Sequence, residues 1–280
     1  MQKSCFSGLK LDNGEPVYTQ EYIQSLRDKD KKHPDRLKII AQRGGQERML
    51  AIDADIKIVG GSRGGSKSFS SLMEVLKDIK NPEFHATILR KEKDDLQSLI
   101  SDSYKLFSQF GTYNKSQNDM TWNFANGGWL KFSYFEGALK DFEERFRGRQ
   151  YAYICVDEGT QIPYKKFKLL LKVNRNAAQI RNRFWITCNP DPESWVRKYI
   201  DWWVDEDGYI DPERDGVIRY CYMDGDTPDT IYWGDTREEV YEQCKGIIDR
   251  LWEKFKDSYE PLGYTKYEVF IKSVTFIRAD

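Results

Sequence analysis

Histidine is almost absent from this 280-residue chain, which has only His33 and His85. Two isolated imidazoles do not make a His-rich zinc site. The five cysteines (Cys5, Cys155, Cys188, Cys221 and Cys244) include no C-x-x-C pair to make up the shortfall. An odd number of scattered cysteines also argues against a disulfide framework and for reduced thiols in a cytosolic compartment. Net charge is missing too: 44 Lys and Arg face 45 Asp and Glu, a formal charge of −1. The chain as a whole is therefore not drawn to DNA or to an anionic membrane, and any nucleic-acid contact must come from a local basic patch. No apolar run approaches the ~18 residues that would span a bilayer. The opening Met1-Gln2-Lys3-Ser4-Cys5-Phe6 lacks the apolar stretch of a secretion signal.

Core-forming residues are plentiful. Hydrophobic residues make up 39% of the chain, with 8 Trp, 17 Tyr and 15 Phe, enough for one large domain with at most a small appendage. Residues 1–50 are polar and rich in Lys, Arg, Asp and Gln, and read as a lead-in or lid; 51–280 read as the core. Ile56-Lys57-Ile58-Val59 is a short strand running into Gly60-Gly61, and Leu72, Val75, Leu76 and Ile79 follow at helical spacing. Ala86–Leu89 predicts a second strand, and Leu96, Leu99, Ile100 and Leu106 a helix. Met120–Phe124 and Trp129–Tyr134 flank Asn126-Gly127-Gly128 as a hairpin should. Tyr151–Val156 and Phe184–Thr187 are two further strands, the first apolar enough to be buried on both faces. Beyond Asp201 the chain reads as acidic loops, then a helix from Arg237 to Lys256 and a final strand from Val269 to Ile277. Strands alternating with helices predict an α/β fold with a mainly parallel central sheet flanked by helices.

Two motifs carry chemistry. Gly61-Ser62-Arg63-Gly64-Gly65-Ser66-Lys67-Ser68 lies between the first strand and its helix and nearly matches G-x-x-x-x-G-K-[ST]. Gly61, Gly64 and Gly65 let the backbone curl so that its N–H groups face phosphate oxygens, and the next helix presents its positive end. Lys67 then reaches the β/γ-phosphates, the Ser68 hydroxyl suits Mg²⁺, and Ser66 and Phe69 complete the expected nucleotide contacts. Ser66 departs from the pattern, standing where glycine is usual. About ninety residues on, Ala152–Val156 is an apolar strand ending in Asp157-Glu158. A strand-end Asp suits Mg²⁺, and the adjacent Glu can orient and deprotonate an attacking water. The pair is also what an ordinary strand end capped by solvated acids would look like.

These residues and their neighbours resemble phage terminase large subunits over about residues 40–277. Asp53–Gly61 resembles the family's opening, Phe146-Arg147-Gly148-Arg149-Gln150-Tyr151 the lead-in to its acidic strand, and Thr187-Cys188-Asn189-Pro190, followed by Trp195–Ile200, its coupling motif. The last is the most discriminating, since the phosphate loop and acidic pair are common to many ATPases. The resemblance implies a P-loop NTPase of the RecA-like (ASCE) type with a small N-terminal lid, using ATP and Mg²⁺ to move double-stranded DNA into a procapsid. It implies Gln46 as the adenine-recognising amide, Arg63 as a transition-state cation, Asn189 as a γ-phosphate sensor, Asp157 as the metal carboxylate and Glu158 as the base. It also implies a portal protein and a terminase small subunit as partners, a ring on the portal from chains monomeric when isolated, no membrane, and the host cell cytoplasm. The family's second, nuclease domain is expected to be absent. Lys165, Lys168 and Lys172 fall on one helix face that would suit DNA phosphates or simply be solvated. Two other readings remain open: a helicase-like P-loop ATPase, and a nucleotide-binding module that no longer hydrolyses ATP.

Overall fold

The computed structural model describes residues 41–61, 66–116, 119–176, 180–189 and 191–279. Most of the expected lid, together with Arg63, Gly64, Gly65 and Pro190, lies outside the described residues. The strands are β1 (Ile56–Gly60), β2 (His85–Arg90), β3 (Gly111–Asn114), β4 (Thr121–Phe124), β5 (Trp129–Tyr134), β6 (Tyr153–Val156), β7 (Arg183–Thr187), β8 (Ile218–Met223), β9 (Ile231–Gly234) and β10 (Lys272–Arg278). They form one ten-stranded sheet in the order β3-β4-β5-β2-β6-β7-β1-β10-β8-β9. The six central strands, β5 to β10 in that order, are parallel, and an antiparallel pair finishes each edge. Every residue of β1, β6 and β7 is buried, as strands covered on both faces must be.

Helices cover the two faces: α1 (Gly45–Ala51), α2 (Lys67–Glu74), α3 (Leu96–Phe107), α4 (Leu139–Phe146), α5 (Tyr164–Val173), α6 (Trp195–Tyr199), α7 (Arg237–Tyr259) and α8 (Lys266–Phe270). Period-2 alternation splits the core along the sheet. Val59, Cys155 and Trp185 belong to the cluster that includes Leu72 of α2 and Leu99 of α3. Ile58, Ile154 and Phe184 belong to the opposite cluster, with Phe142 of α4 and Phe167 and Leu170 of α5. A smaller third cluster gathers Tyr222, Val240, Ile248 and Ile271 around β8, α7 and α8.

The expected strands are present, and β4–β5 is the hairpin, with Gly127 at φ 108° in its turn. Two expectations need correction. Val269 and Phe270 are helical, not extended, because Thr265 and Glu268 form a reciprocal capping box that starts α8; β10 begins only at Lys272. The acidic stretch after Asp201 is not loop throughout. It contains β8, whose Ile218–Met223 pairs with β10 on one side and β9 on the other.

Candidate active site

β7 lies between β1 and β6, so the phosphate-loop strand, the acidic strand and the Thr187-Asn189 strand end side by side. Parallel pairing puts their carboxyl ends at one edge of the sheet, where α/β folds place ligands. Glycine is required where the chain leaves β1: a Cβ on Gly60 would lie 2.4 Å from the Phe276 ring. On Gly61, at φ 132°, it would lie 2.6 Å from the Ala279 carbonyl oxygen. The amide of Ala279 donates to Gly60 O at 2.7 Å, so the end of β10 packs against the base of the loop.

Ser66 caps α2 in the left-handed region, φ 53° and ψ 19°. That conformation explains the usual glycine and makes serine a strained but workable replacement. Its carbonyl accepts from both the amide and the hydroxyl of Ser70, each at 2.8 Å. Lys67 opens α2 with its Nζ donating to Gly61 O at 2.8 Å and Asn189 Oδ1 at 3.0 Å. Partial burial lowers this ammonium below the ordinary lysine range, while Cys188 and Asp157 pull it back up.

Asp157 is fully buried and well supplied with donors. Oδ1 accepts from Ser68 Oγ at 2.7 Å and from Thr187 Oγ1. Oδ2 accepts from Arg90 Nε at 2.7 Å, with Arg90 Nη2 at 2.6 Å. Burial alone would lower the Arg90 guanidinium, but Asp157 outweighs it and raises it. Ser68 and Asp157 are hard oxygen donors in contact with each other, which fits a shared Mg²⁺. Glu158 takes the left-handed conformation, φ 58°, and its side chain is 46% exposed. Its amide donates to Thr187 Oγ1 at 3.0 Å, and Gln161 Nε2 donates to its Oε2 at 2.8 Å. Gly159 lets this turn approach β7: a Cβ there would meet Ile186 Cγ2 at 2.2 Å. Ser66, Lys67, Ser68, Phe69, Asp157, Glu158, Gln161, Thr187 and Asn189 thus line one cleft of about 570 Å³.

Not every expected residue arrives there. Gln46 is buried in α1, its Oε1 accepting from the Gln42 amide at 2.8 Å, and it is not among the described residues lining the cleft. The Lys165–Lys172 face is not a uniform free stripe, because Lys168 Nζ donates to Met223 O at 2.7 Å. Sequence reasoning misses Arg90 and Gln161. For Arg90 the signal is a cation ending the apolar run Ala86–Leu89, which gains meaning only once β2 is known to neighbour β6.

The family model described as "Terminase large subunit, T4likevirus-type, N-terminal" matches residues 58–272, well over half of the 280. No curated protein sequence matches. Among solved structures, a large terminase from a thermophilic bacteriophage is 20% identical with a TM-score of 0.44, the alignment covering 56% of this chain and 40% of that one. The bacteriophage HK97 large terminase is 12% identical, TM-score 0.45, with 60% and 38% covered. The Thermus phage P74-26 large terminase ATPase domain is 11% identical, TM-score 0.45, with 67% and 75% covered. The chain spans about 40% of the length of the first two of these proteins. With the family-model match spanning its phosphate-loop and acidic motifs, the chain belongs to the family of terminase large subunit N-terminal regions of the T4-like-virus type.

Proposed function

We propose that this chain is the ATP-hydrolysing motor domain of a terminase large subunit, coupling hydrolysis to movement of double-stranded DNA into a procapsid. The observation that carries the reading is the meeting of Lys67, Ser68, Asp157, Glu158, Thr187 and Asn189 in one cleft. The amino end of α2 attracts the polyphosphate through its first-turn N–H groups and dipole. Lys67 Nζ, already directed across the cleft toward Asn189, donates to β/γ-phosphate oxygens. Ser68 and Asp157 would hold Mg²⁺, which supplies charge neutralisation on the phosphates. Glu158 takes the proton of the attacking water, and its strained turn, pinned by Thr187, fixes where the carboxylate sits. Asn189 joins the nucleotide to the end of β7. Arg63 adds positive charge from within the loop, and Gln46 recognises adenine after exchanging its bond to Gln42.

In the same reading the partners are duplex DNA, a portal protein and a terminase small subunit. The chain is monomeric when isolated, assembles as a ring on the portal, and works in the host cell cytoplasm. No described helix is long and apolar enough to cross a membrane. DNA cleavage is no part of this proposal. Measuring ATP turnover with and without linear duplex DNA, for wild type and Lys67→Ala, tests the reading. Wild type should turn over ATP, faster with DNA, and the variant should not. Turnover indifferent to Lys67 would defeat the site assignment, and turnover indifferent to DNA would defeat the motor.

A further inference from the structure

Lys57 is the second residue of β1, between Ile56 and Ile58, and is 1% exposed. Its Nζ lies 3.3 Å from Glu74 Oε2, donates to Met49 O of α1 at 3.2 Å, and stands 5.0 Å from the centre of the Trp185 ring. Glu74 ends α2, is fully buried, and receives two further cations: Lys77 Nζ at 2.9 Å and Arg183 Nε at 3.0 Å, the latter off the hydrogen-bond line. Arg183 opens β7 and also pairs with Asp78. Lys77 continues to Leu50 O at 2.8 Å. Three cations and two carboxylates thus tie α1, β1, α2 and β7 together beneath the cleft.

Stability alone does not account for this cluster. Buried ion pairs cost desolvation that their attraction barely repays, and apolar residues of similar volume do as well or better. The surrounding positions of β1 are apolar already, so such a replacement would suit its setting. What the ions supply, and oil does not, is a fixed register. α2 has no side-chain cap at its amino end. It is held against the sheet at its amino end by Ser68 Oγ donating to Asp157 Oδ1 at 2.7 Å, in its middle by Tyr153 Oη donating to Ser71 O at 2.8 Å, and at its other end by the buried Glu74 cluster. Lys67 lies two turns from Glu74, roughly 10 Å along the helix. Arg183, Trp185 and Thr187 share one face of β7 by strand alternation. The residue gripped at the base of that strand therefore stands in line with the one that holds Asp157 and Glu158 at its top.

We propose that Lys57, Glu74 and Arg183 are positioning residues for ATP hydrolysis: a buried ionic clamp that sets the height of α2, and so of Lys67 and Ser68, against the end of β7 that carries Thr187 and Asn189. The proposal rests on the ATPase reading. A misplacement of about 1 Å at reacting groups can cost ~10²-fold in rate. A slack clamp should therefore act on turnover much more than on nucleotide binding.

The test is an apolar exchange of the whole clamp, Lys57→Met with Glu74→Met and Arg183→Met. Wild type and variant are compared for thermal midpoint, ADP affinity and steady-state ATP kinetics. The expected result is a midpoint equal to or above wild type, KM and ADP affinity within about threefold, and kcat lower by about tenfold or more. A folded triple variant with wild-type kcat overturns the clamp. Should the triple variant not fold, Arg183→Lys decides, since it keeps the charge but loses the fork that reaches both carboxylates. A lower kcat at unchanged KM supports the clamp, and an unchanged kcat overturns it. A wild type inert toward ATP overturns the functional reading and the clamp's role together, whereas an active wild type matched by its variant overturns the clamp alone.

Discussion

The hydroxyl of Thr187 joins the two acidic residues of the site: it donates to Asp157 Oδ1 while accepting the amide of Glu158 at 3.0 Å. One side chain from β7 thus orients the buried carboxylate and pins the left-handed turn that presents its neighbour. Thr187→Val keeps the shape and removes both bonds. Asp157 keeps Ser68 and Arg90, but the Glu158 amide loses its partner, a loss that costs about 1–3 kcal/mol when the group stays out of water. Turnover should fall by roughly 10-fold or more while ADP affinity, read by calorimetry, changes little. A variant with wild-type kcat would show that the bridge has no part in hydrolysis.

Arg90 supports the other oxygen of Asp157, with two nitrogens at 2.7 and 2.6 Å. Arg90→Ala leaves a fully buried carboxylate with hydroxyl partners only. Removing one partner of a buried pair costs about 3–5 kcal/mol, and a thermal midpoint lower by about 6 °C or more is expected. A midpoint within a degree of wild type would mean that Asp157 does not depend on this pair.

Ser66 holds a backbone conformation, φ 53°, that costs a side-chain-bearing residue about 1–2 kcal/mol and glycine almost nothing. Ser66→Gly should raise the thermal midpoint by about 2–4 °C and preserve or improve ATP affinity. A large loss of affinity would instead assign the serine hydroxyl a role of its own at the nucleotide.

Burial would raise the Glu74 carboxyl, but Lys57, Lys77 and Arg183 outweigh it and hold it at about 2, against 4.5 ordinarily. A folded-state value below the unfolded one means that the unfolded chain takes up the proton first. The stabilisation from Glu74 is therefore complete above about pH 4.5 and drains away as pH falls from there toward about 2. Denaturant unfolding of wild type and Glu74→Gln across that window should show the stability gap between them closing with acidification. A gap constant from pH 6 down to pH 3 would contradict the buried, charged state of Glu74.

Much of this fold was legible because its central strands are short β-branched or aromatic runs closed by glycine or acid. Ile56–Val59 and Tyr151–Val156 are plain examples, and their spacing also marked the phosphate loop and the acidic pair. β8 was hidden because Ile218–Met223 is covered on one side by the smaller third cluster and lacks clear alternation, so the acids around it dominated the pattern. α8 could have been read from Thr265 and Glu268, a capping-box pair that the β-rich composition of Val269–Ile277 obscured. Arg90 and the Lys57–Glu74–Arg183 cluster depend on which strands are neighbours, a long-range property that no local pattern encodes. Lys57 in particular reads locally as the polar member of a half-exposed strand, yet β1 is covered on both faces.

Glu158→Gln bears most directly on the account as a whole. The amide keeps the size of the side chain and its place beside Gln161 and Thr187, but it cannot accept the proton of the attacking water. The measurement is turnover of ATP with Mg²⁺ alongside binding of a slowly hydrolysed ATP analogue, on wild type and variant. Analogue binding should stay within a few-fold of wild type and turnover should fall by about 10²-fold or more. Turnover near the wild-type rate, or loss of binding with normal hydrolysis of what is bound, would rule out Glu158 as the base.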